Sequence, residues 1–167
     1  MALSIVRGSI EDVDSLEPLW VAVHHAHAAS MPELAPYVSD AETWAEHRPL
    51  YVELFEKPDT ALFLARLDGA LVGYALLHVE QVHATFIADT WRTGDRIGEL
   101  ESLAVAPEHR GHGIGGALLD AVDREFDELG VADVIIGVLP GNDGARRLYE
   151  RRGFRPTWLY LSRFAGR

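Results

Sequence analysis

Apolar positions recur along this chain in two rhythms, every second residue and every third to fourth, and the alternation of the two lays out its elements. Leu3–Arg7 is a short apolar strand. Ser9-x-x-Asp12, followed by Val13, Leu16, Leu19/Trp20 and Val23, then predicts a helix running to about Ala29. Met31-Pro-Glu-Leu-Ala-Pro36 breaks it, since proline removes a donor and clashes inside a helix. A second helix starts near Ser39-Asp40 and continues through Trp44, Tyr51, Leu54 and Phe55 to Lys57. Residues 60–66 and 71–79 are β-rich runs joined through Asp68-Gly69, a hairpin signal, so they pair antiparallel. Residues 84–88 read as a strand extension and 89–96 as a polar loop.

From there the rhythm is firm. It gives a strand over 97–105, a helix over Ile114–Leu129, a strand over 134–138, a helix over 143–152 and a final strand over 157–164. The long helix carries apolar residues at 114, 117, 118, 121, 122, 126 and 129, the stripe of a helix packed on a sheet. Two strands flanking it make a βαβ crossover, hence a parallel pair within a mostly antiparallel sheet.

Composition narrows the function. At 167 residues the chain fits one domain with a core of its own. With no cysteine, it has no disulfide, no thiolate metal site and no cysteine nucleophile, and a cytoplasmic location is expected. No apolar run approaches the length of a membrane span, and no signal peptide opens the sequence, so no membrane partner is expected. Acidic residues number 26 against 15 basic, a formal charge of −11 that argues against nucleic acid and favours cationic small molecules or basic peptides.

The densest signal is Arg110-Gly-His-Gly-Ile-Gly-Gly116, which carries an apolar strand through a glycine-rich turn into the long helix. Closely spaced glycines let successive N–H groups point inward, and the helix start adds unsatisfied N–H groups and the positive end of its dipole. The result is an anion cradle suited to a pyrophosphate. Gly111-x-Gly113-x-x-Gly116 also satisfies the dinucleotide fingerprint, but its context does not. Pro107-Glu-His-Arg110 separates strand from glycines, and Asp133 precedes the next strand rather than ending it.

A second constellation lies about 30 residues on: Asn142-Asp-Gly-Ala-Arg-Arg-Leu-Tyr149-Glu-Arg-Arg-Gly153-Phe154. Asn142 and Tyr149, seven positions apart, share a helix face; Asn142 suits the N-cap and Gly153 the C-terminal stop. The chain thereby resembles the GCN5-related N-acetyltransferases, the GNAT family, whose motif A reads Arg-x-x-Gly-x-Gly and motif B Asn-x-x-Ala-x-x-Leu-Tyr-x-x-x-Gly-Phe. The resemblance covers residues 97–164. It implies an α/β (α+β) GNAT fold, a twisted mixed sheet with helices on both faces and a splayed parallel pair, formed by residues 1–167 as a single domain.

It further implies acetyl-coenzyme A as co-substrate, held by Leu103, Ala104, Val105, Arg110, Gly111, His112, Gly113, Ile114, Gly115, Gly116, Asn142 and Tyr149. Tyr149 would protonate the leaving thiolate. The alternative for Tyr149 is a core filler, and for Asn142 a simple cap. In Gly98-Glu99-Leu-Glu101-Ser-Leu103-Ala-Val105, strict alternation puts Glu99, Glu101, Leu103 and Val105 on one face unless a bulge intervenes. An amine of pKa about 10.4 is almost wholly protonated at pH 7, so a base is useful, and Glu99 or Glu101 is the candidate, unranked.

Histidines at 24, 25 and 27 read as helix surface or acceptor-pocket wall, and no metal is expected. His109 and His112 sit on the rim of the cradle, while Trp20, Tyr37, Trp44 and Trp91 are mostly core. The reading is an N-acetyltransferase acting on a primary amine of a small, cationic molecule. Acetylation of a protein N-terminus or lysine, and a non-catalytic acyl-coenzyme A sensor, stay open, as does the oligomeric state, a homodimer included.

Overall fold

The computed structural model describes residues 2–88 and 90–165. Five strands, β1 (Leu3–Arg7), β2 (Ala61–Leu67), β3 (Ala70–Gln81), β4 (Arg96–Val105) and β5 (Val134–Ile136), lie in the order β1-β2-β3-β4-β5. The first three pairings are antiparallel and β4–β5 is parallel, as the crossover requires. The β2–β3 hairpin closes over Asp68-Gly69, with Leu67 opposite Ala70.

Helices cover both faces. On one, α3 (Ile114–Leu129) lays Leu118, Leu119, Val122 and Phe126 against Ala65, Ala75, Leu77 and Leu100. Gly98 makes this approach possible, because a Cβ there would overlap the Phe126 ring. On the other face, α1 (Glu17–Ser30) and α2 (Asp40–Leu54) bury Leu19, Trp44, Tyr51 and Leu54 against Leu62, Leu64, Tyr74 and Leu76. Each fully buried leucine or tyrosine contributes about 1.5–3 kcal/mol of transfer free energy, so the two layers fix the sheet between them. The helix α4 (Asp143–Glu150) adds Ala145, Leu148 and Tyr149 to the α3 layer.

Several boundaries differ from those the sequence predicts, each for a local reason. Ser9 and Asp12 form their capping box, yet it opens a 3-10 turn over Ile10–Leu16; the α-helix begins at Glu17, where Pro18 is tolerated in the first turn. The second helix starts at Asp40 as predicted, capped by Ser39 and Glu42, and ends at Leu54, short of the expected Lys57. The expected strand at 84–88 is instead a 3-10 turn over Val82–Ala84 with further turns after it; of the polar loop at 89–96, Asp89 lies outside the described residues and Arg96 already belongs to β4. No strand forms at 157–164, where Leu159, Tyr160 and Leu161 are exposed. A strand needs an edge to accept it, and β5 has only three residues in the ladder before Gly137 leaves it. Trp91, expected in the core, is exposed, while Trp44 is buried. Among the described residues no helix is long and apolar enough to cross a membrane.

Candidate active site

The parallel pairing of β4 with β5 stops at Leu100–Ile136, while β4 runs on to Val105. The two strands part there, and a pocket of about 120 Å³ opens at the point of parting. It is lined by Trp20, Val23 and His27 from α1, His47 from α2, Glu101, Ser102 and Leu103 from β4, Ile136 at the end of β5 and Gly137 after it, and Tyr149 from α4. Among the described residues no lysine or arginine lines it. A separate recess between Gly94–Arg96 and Gly130–Asp133 lies at the far end of β4, remote from both motifs.

Beyond the end of β4 the chain passes through a 3-10 turn, Pro107–His109, into the glycine turn. Gly111 and Gly113 adopt φ of +78° and +82°, conformations that favour glycine, and a Cβ at either would meet nothing within 4 Å. The cradle is therefore open on its outer side. The first helical hydrogen bond runs from Ala117 N–H to Gly113 C=O at 3.0 Å, which leaves the N–H groups of Ile114, Gly115 and Gly116 to point out of the helix start. Arg110 donates from Nε to Val105 C=O at 3.0 Å, fixing the turn to the strand, and His112 Nδ1 lies 3.4 Å from His109 C=O at the rim.

The second motif is tied to the first. Arg152 donates to Gly116 C=O at 2.9 Å and pairs with Asp120 at 2.7 Å and Asp123 at 3.1 Å. Gly115 leaves just enough space for Leu148, whose Cδ2 would lie 3.4 Å from an added Cβ. Asn142 caps α4 by accepting from Ala145 N–H at 3.2 Å. Two turns on, Tyr149 is 6% exposed, its ring against Phe154 and its hydroxyl without a protein hydrogen bond among the described residues. Burial pushes the phenol up to about 12, so it stays protonated and able to donate at neutral pH.

A β-bulge decides which way the carboxylates face. The β3–β4 register shifts between Leu76 and Leu77, so that Ser102 pairs with Leu76, Leu100 with Leu77, and Glu101 has no partner. Glu99, opposite His78, and Glu101 therefore lie on the α1–α2 side with Ser102, while Leu103 and Val105 turn to the α3 side and pack in its core. Strict alternation, which put all four on one face, is thus corrected. Ser102 hydrogen-bonds to Tyr51 at 2.5 Å, and Tyr51 to Tyr74 at 2.8 Å, a buried chain beneath the pocket.

The bulge also ranks the glutamates. Glu101 lines the pocket with Tyr149, whereas Glu99 stands behind it, its carboxyl raised by burial and then by the charges of Glu101 and Glu80, against the lowering effect of His78. Two buried side-chain atoms without a partner, His47 Nε2 and His78 Nδ1, belong to histidines in this neighbourhood. Burial holds His47 down to about 4, with His27 adding to the effect and Glu101 opposing it, so its ring is neutral at pH 7. It stacks on Trp20, whose Nε1 donates to Thr43 at 3.1 Å.

The expected histidine group divides. His24 bonds the Val38 carbonyl at 2.9 Å and is buried, His25 pairs with Asp40 at 2.8 Å on the surface, and His27 reaches the pocket. Neither His47 nor His78 was singled out by the sequence. The signal for His78 was present: a histidine and Glu80 at every-second positions in an otherwise apolar strand.

Comparison with known proteins settles the family. Residues 20–154 match the sequence model described as the Acetyltransferase (GNAT) family. The chain belongs to that family. A mycothiol acetyltransferase of Propionibacterium freudenreichii subsp. shermanii is 33% identical over 144 residues, 86% of this chain but 40% of the relative. This GNAT chain thus spans about two fifths of that curated relative's length. In fold it is similar to a GCN5-related N-acetyltransferase from Ralstonia eutropha JMP134, with TM-score 0.76 and 21% identity over 99% of this chain and 100% of that one. An aminoglycoside N-acetyltransferase in complex with CoA is similar at TM-score 0.68 and 18% identity, covering 99% and 95% of the two chains. GNAT enzymes use acetyl-coenzyme A.

Proposed function

We propose that residues 1–167 work as one acetyltransferase domain that moves the acetyl group of acetyl-coenzyme A onto a primary amine of a small cationic molecule, by direct attack in a ternary complex. The observation that carries this reading is the pocket at the strand split, which puts a protonated Tyr149 and a carboxylate, Glu101, on one small space. The open glycine turn fits a pyrophosphate. The backbone of Arg110, Gly111, His112, Gly113, Ile114, Gly115 and Gly116 would hold it, and Leu103, Ala104, Val105 and Asn142 would flank the arm that leads to the split.

Acetyl-coenzyme A supplies an acyl group activated as a thioester. Every other part of the work falls to the chain. Glu101 draws in the acceptor's ammonium and, with Glu99 behind it, takes the proton that leaves the nitrogen. Backbone N–H groups near Leu103 polarise the thioester carbonyl, and Tyr149 gives its phenolic proton to the departing sulfur. Trp20 and His47, stacked flat, wall off the side facing α1 and α2. The absence of lysine and arginine among the described lining residues, with the −11 charge, supports a cationic acceptor. The mycothiol and aminoglycoside acetyltransferases among the relatives fit a small-molecule acceptor, and an N-alpha-acetyltransferase of Sulfurisphaera tokodaii, 32% identical over 66% of this chain, fits the protein alternative.

A panel of polyamines, aminoglycosides, amino-acid derivatives and peptides, read by release of the coenzyme A thiol and by product mass, tests the proposal. Small cationic amines should be acetylated fastest. Turnover confined to peptides would move the protein to N-terminal or lysine acetylation, and binding of acetyl-coenzyme A without turnover on any amine would make it a sensor.

A further inference from the structure

Behind the pocket wall, the His78 ring sits among three carboxylates, and its spacing from them is unusual. Its Nε2 lies 3.6 Å from Glu99 Oε2 and 3.7 Å from Glu101 Oε2, and its Nδ1 lies 3.5 Å from Glu80 Oε1. Its side chain makes no hydrogen bond among the described residues, and Nδ1 is wholly buried without a partner, in a residue only 5% exposed. The first two distances are too long for hydrogen bonds. They are close to the edge of a metal coordination shell, about 3.4 Å for tetrahedral bonds of about 2.0–2.2 Å.

We propose that His78, Glu99 and Glu101 form a site for one divalent first-row metal ion of the zinc class. The three donor atoms lie within 4.8 Å of one another, and rotation of two partly exposed carboxylates closes the remaining gap. The fold brings them within reach: His78 faces Glu99 across the β3–β4 ladder, and the bulge swings the unpaired Glu101 in beside them. The surrounding groups complete the pattern. A metal-bound histidine usually donates its other N–H to a carboxylate. Here Glu80 stands opposite Nδ1 and is itself held by Lys57 at 2.6 Å. An imidazole among the donors selects zinc, cobalt or nickel over calcium and magnesium, which take oxygen ligands.

Occupancy takes both carboxylates away from the acceptor amine, so the bound ion is an inhibitor of the proposed transfer. That consequence rests on the reaction proposed above; the binding does not. The test is therefore calorimetric titration of chelator-stripped protein with zinc chloride, with no acetyl-coenzyme A or amine present, and cobalt as an optical probe. One zinc ion should bind per chain, at least 10-fold more weakly in Glu80→Gln and with the stoichiometric event lost in His78→Gln and Glu101→Gln. Should His78→Gln not fold, Glu101→Gln, at a partly exposed position, decides alone. Failure of the wild type to bind zinc stoichiometrically, or wild-type affinity in Glu101→Gln, overturns the site.

Discussion

Replacing Tyr149 with phenylalanine separates chemistry from packing, because the structure predicts opposite outcomes for rate and stability. The ring is 6% exposed, stacked edge-on with Phe154 at 6.0 Å and seated among Ala145 and Leu148, and phenylalanine keeps all of that. The hydroxyl makes no hydrogen bond to the protein among the described residues, so its removal leaves nothing unpaired and spares the cost of desolvating it. Stability should therefore stay within about 0.5 kcal/mol of wild type, or rise slightly, a change in Tm of no more than about 2 °C for a chain of this size. Loss of a general acid typically costs about 10²–10⁴ in kcat, or ~2.7–5.4 kcal/mol of barrier. The assay is kcat by thiol release alongside Tm in the same preparations, with cofactor affinity measured by titration. The pH profile adds a check. With the phenol held up to about 12, Tyr149 stays protonated throughout the range from pH 6 to 10, so any alkaline decline of kcat in that range belongs to another group. Wild-type kcat in Tyr149→Phe would return the residue to the core and remove the acid from the mechanism.

Three more outcomes rest on particular contacts. Glu101→Gln should lower kcat/KM more than Glu99→Gln with one and the same amine, since only Glu101 lines the pocket; equal losses would mean that the bulge does not decide the base. Acetyl-coenzyme A should raise Tm by mass action, and Gly113→Asp should abolish the rise, because a side chain at φ +82° is strained by about 1–2 kcal/mol and its carboxylate faces the bound anion; an unchanged rise removes the cradle. Between pH 6.5 and about 4 the unfolded chain protonates His47 while the folded chain does not, so stability present above pH 6.5 is lost as pH falls through that window. The loss in Tm over the window should be smaller in His47→Gln, and an identical loss would show that the ring is not held neutral.

What could be read from the sequence was whatever depends on neighbours along the chain. The glycine turn, the capping boxes at Ser9 and Ser39, the Asp68-Gly69 hairpin and the α3 stripe are each short and local, and each formed where its local chemistry put it. The parallel pair came from those pieces, because a crossover of one hand and length has few other places to go. The misplacements have a common cause in long-range pairing. The apolar run after Thr157 has the composition of a strand, but β5, the outer strand it would join, offers only Val134–Ile136, and the alternation of Glu99 to Val105 is interrupted by a bulge that exists only in the register with β3, a strand well upstream in the chain. That single shift carries the functional argument. It packs Leu103 and Val105 against the α3 core and turns Glu101 toward the pocket and His78. Without it Ser102 and Glu101 would point to opposite faces, and the buried chain through Tyr51 could not form beneath the same pocket that the glutamate lines. The bulge is thus the one element that makes a strand serve both as a wall of the core and as the carboxylate-bearing side of a site.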